Sequence, residues 1–110
     1  MLLSVPAVIV VATPKGVALP EGTKDTEAFL RSHIQQGIPI EQAKSQMEGL
    51  GFSCSWVSKG AIAGVEGVAD FVYCDREKGS LMVIKRWQAA LMYSNGKLSE
   101  IHATFGLIGS

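Results

Sequence analysis

The stretch Leu81 to Ile108, LMVIKRWQAALMYSNGKLSEIHATFGLI, limits what this chain can fold into more than any other. Two runs rich in strand-forming residues flank Ser94-Asn95-Gly96. Asn-Gly marks a β-hairpin because both residues accept the positive φ of tight hairpin turns. Two registers compete. A two-residue loop, Asn95-Gly96, pairs Tyr93 with Leu98 and Ala90 with Ile101, and sets Arg86 and Gln88 on the face of Ile101 and Phe105. A three-residue loop, Ser94-Asn95-Gly96, pairs Tyr93 with Lys97, Ala89 with Ile101 and Trp87 with Ala103. It gathers Val83, Trp87, Ala89, Leu91, Ile101, Ala103, Phe105 and Leu107 on one face, and Arg86, Gln88, Glu100, His102 and Thr104 on the other. A one-residue slip turns every side chain over, so the hydrophobic pattern selects the three-residue loop, with Gly96 as a left-handed bulge. Lys85 falls on the apolar face beside Phe105, where its stem can lie on the rim and its ammonium reach water.

Composition bounds the function. The chain has 110 residues, enough for one domain with one core, and its 47% hydrophobic and 18% charged residues are those of a globular protein. Its formal net charge is zero. That disfavours nucleic-acid binding, which needs a cationic footprint, and tolerates self-association, so a homodimer is a natural expectation. No run reaches the roughly 18 apolar residues of a membrane span. The run Leu2 to Ala12 mimics the apolar part of a secretory leader, but no positive charge precedes it and Pro6 interrupts it. A strand from Val5 to Ala12 is the preferred reading, within a segment 1–22 that ends in the linker TPKGVALPEG; the rest, 23–110, reads as a single domain.

Along that domain, Thr23 to Gln36 reads as a helix with Thr23 or Asp25 capping its start, Phe29, Leu30, His33 and Ile34 near one stripe, and Gly37 ending it. Pro39 opens a second helix to about residue 48, with Ile40, Ala43 and Met47 on its apolar face and Gly49 stopping it. Phe52 to Ser58 alternates as a strand with Phe52, Cys54 and Trp56 inward. Residues 59–69 form a Gly-rich connection, Asp70 to Arg76 another strand, and Glu77 to Ser80 a turn. A sheet with one wet face needs cover on the other. The expected fold is therefore α+β: an αα-hairpin packed on one face of a four-stranded antiparallel sheet, with an additional N-terminal β-segment.

Cys54 and Cys74 read either as small buried hydrophobes or as one disulfide between neighbouring strands. With no histidine nearby they make no metal site, and no cofactor is expected. The compartment follows: periplasmic or extracellular if residues 1–12 are a leader or the cysteines are oxidised, otherwise cytoplasmic.

The segment GIPIEQAKSQMEGLGFSC, followed by strands, resembles small bacterial envelope proteins. In the outer-membrane-assembly lipoproteins of the SmpA/OmlA (BamE) type, a Gly, a helix-starting residue shortly after it and a terminal Leu-Gly precede the sheet. The matching positions are Gly37, Pro39, Leu50 and Gly51. The chain departs from that pattern at Pro39, where the family has a capping Thr, and it has no lipid-attachment cysteine near its start. The β-lactamase-inhibitor-protein family shares the two-helix, four-strand plan over residues 23–108. The resemblance implies a binding scaffold rather than an enzyme.

Three functions follow from these residues. The first is a non-enzymatic interaction module, with a protein partner or a second copy, using Arg86, Gln88, Glu100, His102 and Thr104 on the open sheet face or the apolar N-terminal strand. The second is a small-ligand carrier, with a pocket beneath loop 59–69 that Trp56 and Trp87 would line. The third is an enzyme with His102 as general base, which requires a nucleophile or a second titrating group beside it.

Overall fold

The computed structural model describes residues 18–62, 65–79 and 81–109; the run Val5 to Ala12 and its expected strand lie outside the described residues. Two helices, α1 (Thr23–His33) and α2 (Ile40–Gly49), precede four strands: β1 (Ser53–Gly60), β2 (Ala69–Gly79), β3 (Val83–Ser94) and β4 (Lys97–Gly109). The strands form one antiparallel sheet in the order β1-β2-β3-β4. The fold class is α+β.

The hairpin turn has two residues, not three. Asn95 and Gly96 take φ of 55° and 77°, and Ser94 pairs with Lys97 and Tyr93 with Leu98. Such mirror-image turns match the twist of the flanking strands. That turn alone would carry Arg86 onto the face of Phe105. It does not, because the register shifts next to Tyr93: Met92 pairs with Glu100, so Ser99 is an extra residue on β4. Beyond it Leu91 faces Ile101, Ala89 faces Ala103 and Trp87 faces Phe105. The expected pairs are thus displaced by two residues. A two-residue displacement preserves the side-chain period of a strand, so each residue stays on its expected face.

Among the described residues, most of the core forms one cluster. Leu30, Ile34, Ile40, Ala43 and Met47 of the helical segment meet Val72, Cys74, Trp87, Ala89, Leu91, Ile101 and Ala103 of the sheet. These strand residues alternate along β2, β3 and β4 and share a face through the rungs Val72–Leu91–Ile101 and Cys74–Ala89–Ala103. The buried stripe of α1 runs Thr26, Leu30, Ile34; His33 is exposed and stacks on Phe29, ring centroids 4.5 Å apart. Leu19 is buried, and the Pro20 carbonyl accepts bonds from Trp87 Nε1 at 2.8 Å and Thr26 Oγ1 at 3.1 Å. Trp87 therefore spends its one polar group inside the core.

Helix ends differ from expectation. Gly22 is the N-cap of α1, with no side-chain cap, and α1 stops at His33 rather than Gln36. Gly37, at φ 93°, sits in the connection, donating its N–H to Leu98 while Leu98 N–H returns to Ile38. Helix α2 ends slightly later than expected: Leu50 is its C-cap, and Gly51 at φ 94°, not Gly49, is the left-handed residue. Strand β2 runs through Gly79, so Glu77 and Lys78 are strand residues rather than a turn.

Candidate functional site

The sheet side opposite the core carries two kinds of residue. Because Tyr73 pairs with Ala90, Asp75 with Gln88 and Glu77 with Arg86, while Gln88 pairs with Thr104 and Ala90 with His102, these side chains alternate against the core residues and share the second face. Five of the residues expected there, Arg86, Gln88, Glu100, His102 and Thr104, are accordingly arrayed along β3 and β4. Tyr73, Asp75 and Glu77 join them from β2. The sequence places Tyr73 and Asp75 in a strand without fixing its register against β3, and it reads Glu77 as the start of a turn, so none of the three was assigned to this face.

The polar groups form a connected band. Gln88 Nε2 donates to Tyr73 Oη at 2.7 Å, and Arg86 Nη2 approaches the same oxygen at 3.4 Å. Arg86 lies between two carboxylates, Asp75 Oδ2 at 3.6 Å and Glu77 Oε2 at 3.5 Å. Its Nε is buried and makes no hydrogen bond; Glu77 Oε2 stands 3.5 Å from it. These half-exposed ion pairs hold the guanidinium in place without saturating its five donors. His102 Nε2 meets Glu100 Oε1 at 3.1 Å. Among the described residues the His102 ring has no other hydrogen-bonding partner.

Beside this band the face turns apolar. Phe71 and Ala90 are buried although no helix residue of the core cluster lies against them. The chain after β1 covers them. Gly60 approaches the Phe71 ring so closely that a Cβ there would lie 3.0 Å from Phe71 Cε1 and 2.5 Å from Val57 Cγ1. Only glycine lets the backbone come that near. Ala61 and Ile62 continue over the sheet and, with Phe71, Tyr73, Ala90 and His102, line an open hollow of about 300 Å³ that Glu27, Gln88 and Thr104 also border. Its apolar floor and few polar rim groups are the usual makeup of a small-ligand site.

The tryptophans take different positions. Trp87 is 2% exposed and packs against Phe105, with centroids 5.3 Å apart. Trp56 is 50% exposed and stands edge-on to Tyr93 at 6.0 Å. The hollow beneath Ala61 and Ile62 is lined by neither. Cys54 and Cys74 form a disulfide that ties β1 to β2 on the core side of the sheet.

Arg76 has a structural post. Its Nη1 donates to the Leu50 carbonyl at 2.8 Å, closing the end of α2, and its guanidinium lies 5.5 Å from the centroid of the Trp87 ring. Burial pulls its pKa below the ordinary arginine value.

Among the described residues, no three His, Cys, Asp or Glu side chains come together to hold a metal ion, and no helix is long and apolar enough to cross a membrane. Comparison with protein-family models, curated proteins and solved structures gives no match.

Proposed function

We propose that this protein is a non-catalytic binding module that recognises its partner on the sheet face bearing Arg86, Gln88, Glu100, His102 and Thr104. In this reading the helix pair roofs one face of the sheet and leaves the other for recognition. The observation that carries it is the hollow under Ala61 and Ile62. There an apolar floor of Phe71 and Ala90 adjoins the Tyr73–Gln88–Arg86 band, so one surface offers burial together with oriented donors and acceptors. Arg86 keeps donors for an acidic or carbonyl-rich group, and His102 with Glu100 supplies a second polar contact.

The size of the hollow favours a second reading, a carrier of a small ligand seated under Ala61 and Ile62. The two readings share residues and differ in the bulk of what binds. The Cys54–Cys74 bridge supports an oxidising compartment, periplasmic or extracellular. The resemblance of residues 23–108 to envelope binding scaffolds agrees with this.

Titration of ¹⁵N-labelled protein with aromatic and amide-bearing fragments, and separately with short acidic peptides, tests the proposal. Shifts are expected at Tyr73, Gln88, Ala90, His102 and Thr104. Ala90→Leu, which fills the hollow from its floor, is expected to weaken fragment binding by about tenfold or more. Perturbations confined to the Trp56 side of the sheet, or none with either set, would sink the reading.

A further inference from the structure

The two edges of the sheet are treated differently by the fold. At the β4 edge, α1 supplies side chains to the outward backbone. Thr23 Oγ1 both donates to the Phe105 carbonyl at 3.4 Å and accepts from the Phe105 N–H at 3.2 Å. Glu27 Oε2 accepts from the Ala103 N–H at 3.1 Å, and Arg31 Nη2 donates to the Ile101 carbonyl at 3.1 Å. Residues 23, 27 and 31 recur every fourth position, one helical stripe against every second strand residue.

The β1 edge has no such cover among the described residues. The Cα atoms of Cys54 and Cys74 are 4.1 Å apart, the spacing of a narrow, non-hydrogen-bonded rung, so the Cys54 N–H and C=O point away from β2. The backbone groups of Trp56, two residues on, point the same way. Along the rung Cys54–Cys74–Ala89–Ala103, the alternation turns the Ala103 N–H outward at the opposite edge, where Glu27 meets it. Among the described residues, nothing bonds to the outward groups of Cys54 and Trp56. Beside them stands the half-exposed Trp56 ring.

We infer that β1 is the self-association edge: two copies pair antiparallel through Ser53 to Val57 about a two-fold axis at Ser55, extending the sheet to eight strands. This goes beyond the face-binding reading and does not rest on it. Four features select a second copy. Ser53 to Val57 carries no charge, so it has nothing to match a charged partner. Antiparallel self-pairing about Ser55 sets Cys54 of one protomer opposite Trp56 of its partner and Ser53 opposite Val57, with no like charges facing. The irregularity between Val57 and Gly60, with Lys59 at φ 53°, ends the flat stretch where that pairing ends. The sealed β4 edge stops growth at two copies, the closed assembly of an isologous contact.

Sedimentation equilibrium of the full chain at about 100 µM is expected to give twice the chain mass. Trp56→Pro removes an outward N–H and the ring while sparing the bonds to β2, which Ser55 and Val57 carry; it is expected to raise the dimer dissociation constant about a hundredfold. Trp56→Lys, which leaves the backbone donor in place, is expected to weaken the dimer in the same direction and serves if the proline variant does not fold. Ser55→Cys is expected to cross-link two copies under mild oxidation, because a narrow rung at the axis brings the two side chains within disulfide reach. A monomer at that concentration overturns the inference, as does a dimer indifferent to both Trp56 variants. A dimer sensitive to Trp56 in which Ser55→Cys gives no covalent product means that another segment occupies β1, and overturns it equally.

Discussion

The Glu27 carboxylate accepts the outward amide of Ala103 at 3.1 Å, so a helix side chain completes the hydrogen bonding of a sheet edge. A charged acceptor makes that bond stronger than a neutral one, and partial exposure moderates it. Glu27→Ala is expected to lower stability by about 1 kcal/mol in urea unfolding, with the m-value unchanged. Amide exchange at Ala103 is expected to accelerate more than at Leu91 in the sheet interior.

Arg76 joins three elements, the end of α2, strand β2 and the Trp87 ring. Arg76→Ala removes a charge-assisted bond to Leu50 and the contact over the ring. The expected loss is about 2 to 3 kcal/mol by chemical denaturation. Arg76→Lys is expected to recover less than half of it, since an ammonium lacks the planar fork that spans the carbonyl and the ring together. Full recovery by lysine would show that charge alone matters there.

The Cys54–Cys74 bridge closes a segment of sequence separation 20. Restricting the unfolded chain over a loop of that size contributes about 3 kcal/mol on the chain-entropy account. Paired substitution of Cys54 and Cys74 by alanine, or reduction, is expected to shift the urea midpoint down accordingly while leaving the far-ultraviolet spectrum in place. An unchanged midpoint would mean that the bridge restricts the unfolded chain too little to affect stability.

Two glycines are expected to respond with opposite signs. Gly96 has φ 77° and room for a methyl group, so Gly96→Ala costs only backbone strain, about 1 to 2 kcal/mol. Gly49 lies in the last turn of α2 with nothing within 4 Å of an added Cβ. Gly49→Ala is expected to stabilise by about 0.5 kcal/mol, because it removes unfolded-state freedom at no steric cost. Thermal or urea unfolding of the two variants side by side checks both signs.

Much of the candidate face was legible because strands repeat every two residues. The alternation of Trp87, Ala89 and Leu91 with Arg86 and Gln88 places the last two opposite the core whatever the loop, provided register errors come in even steps. Tyr73, Asp75 and Glu77 were not assigned to that face. Tyr73 and Asp75 lay within the expected strand, but its register against β3 follows only from the pairing of distant segments; Glu77 also needed β2 to continue past Arg76. The cover over Phe71 was equally hidden. A Gly-rich run announces freedom, and only contact with the ring shows why Gly60 needs to be glycine.

Local chemistry written in the chain settled the two helices, the four strands and the presence of a hairpin turn around Asn95-Gly96, though not its length, since each follows from residues a few positions apart. Contacts between distant residues settled the rest. The bulge at Ser99 restored the sidedness that a two-residue turn would have reversed, because burying Ile101 and Phe105 outweighs one unpaired strand residue. The joining of Cys54 to Cys74 and the sealing of β4 by Thr23, Glu27 and Arg31 required folding to bring together groups up to 82 positions apart.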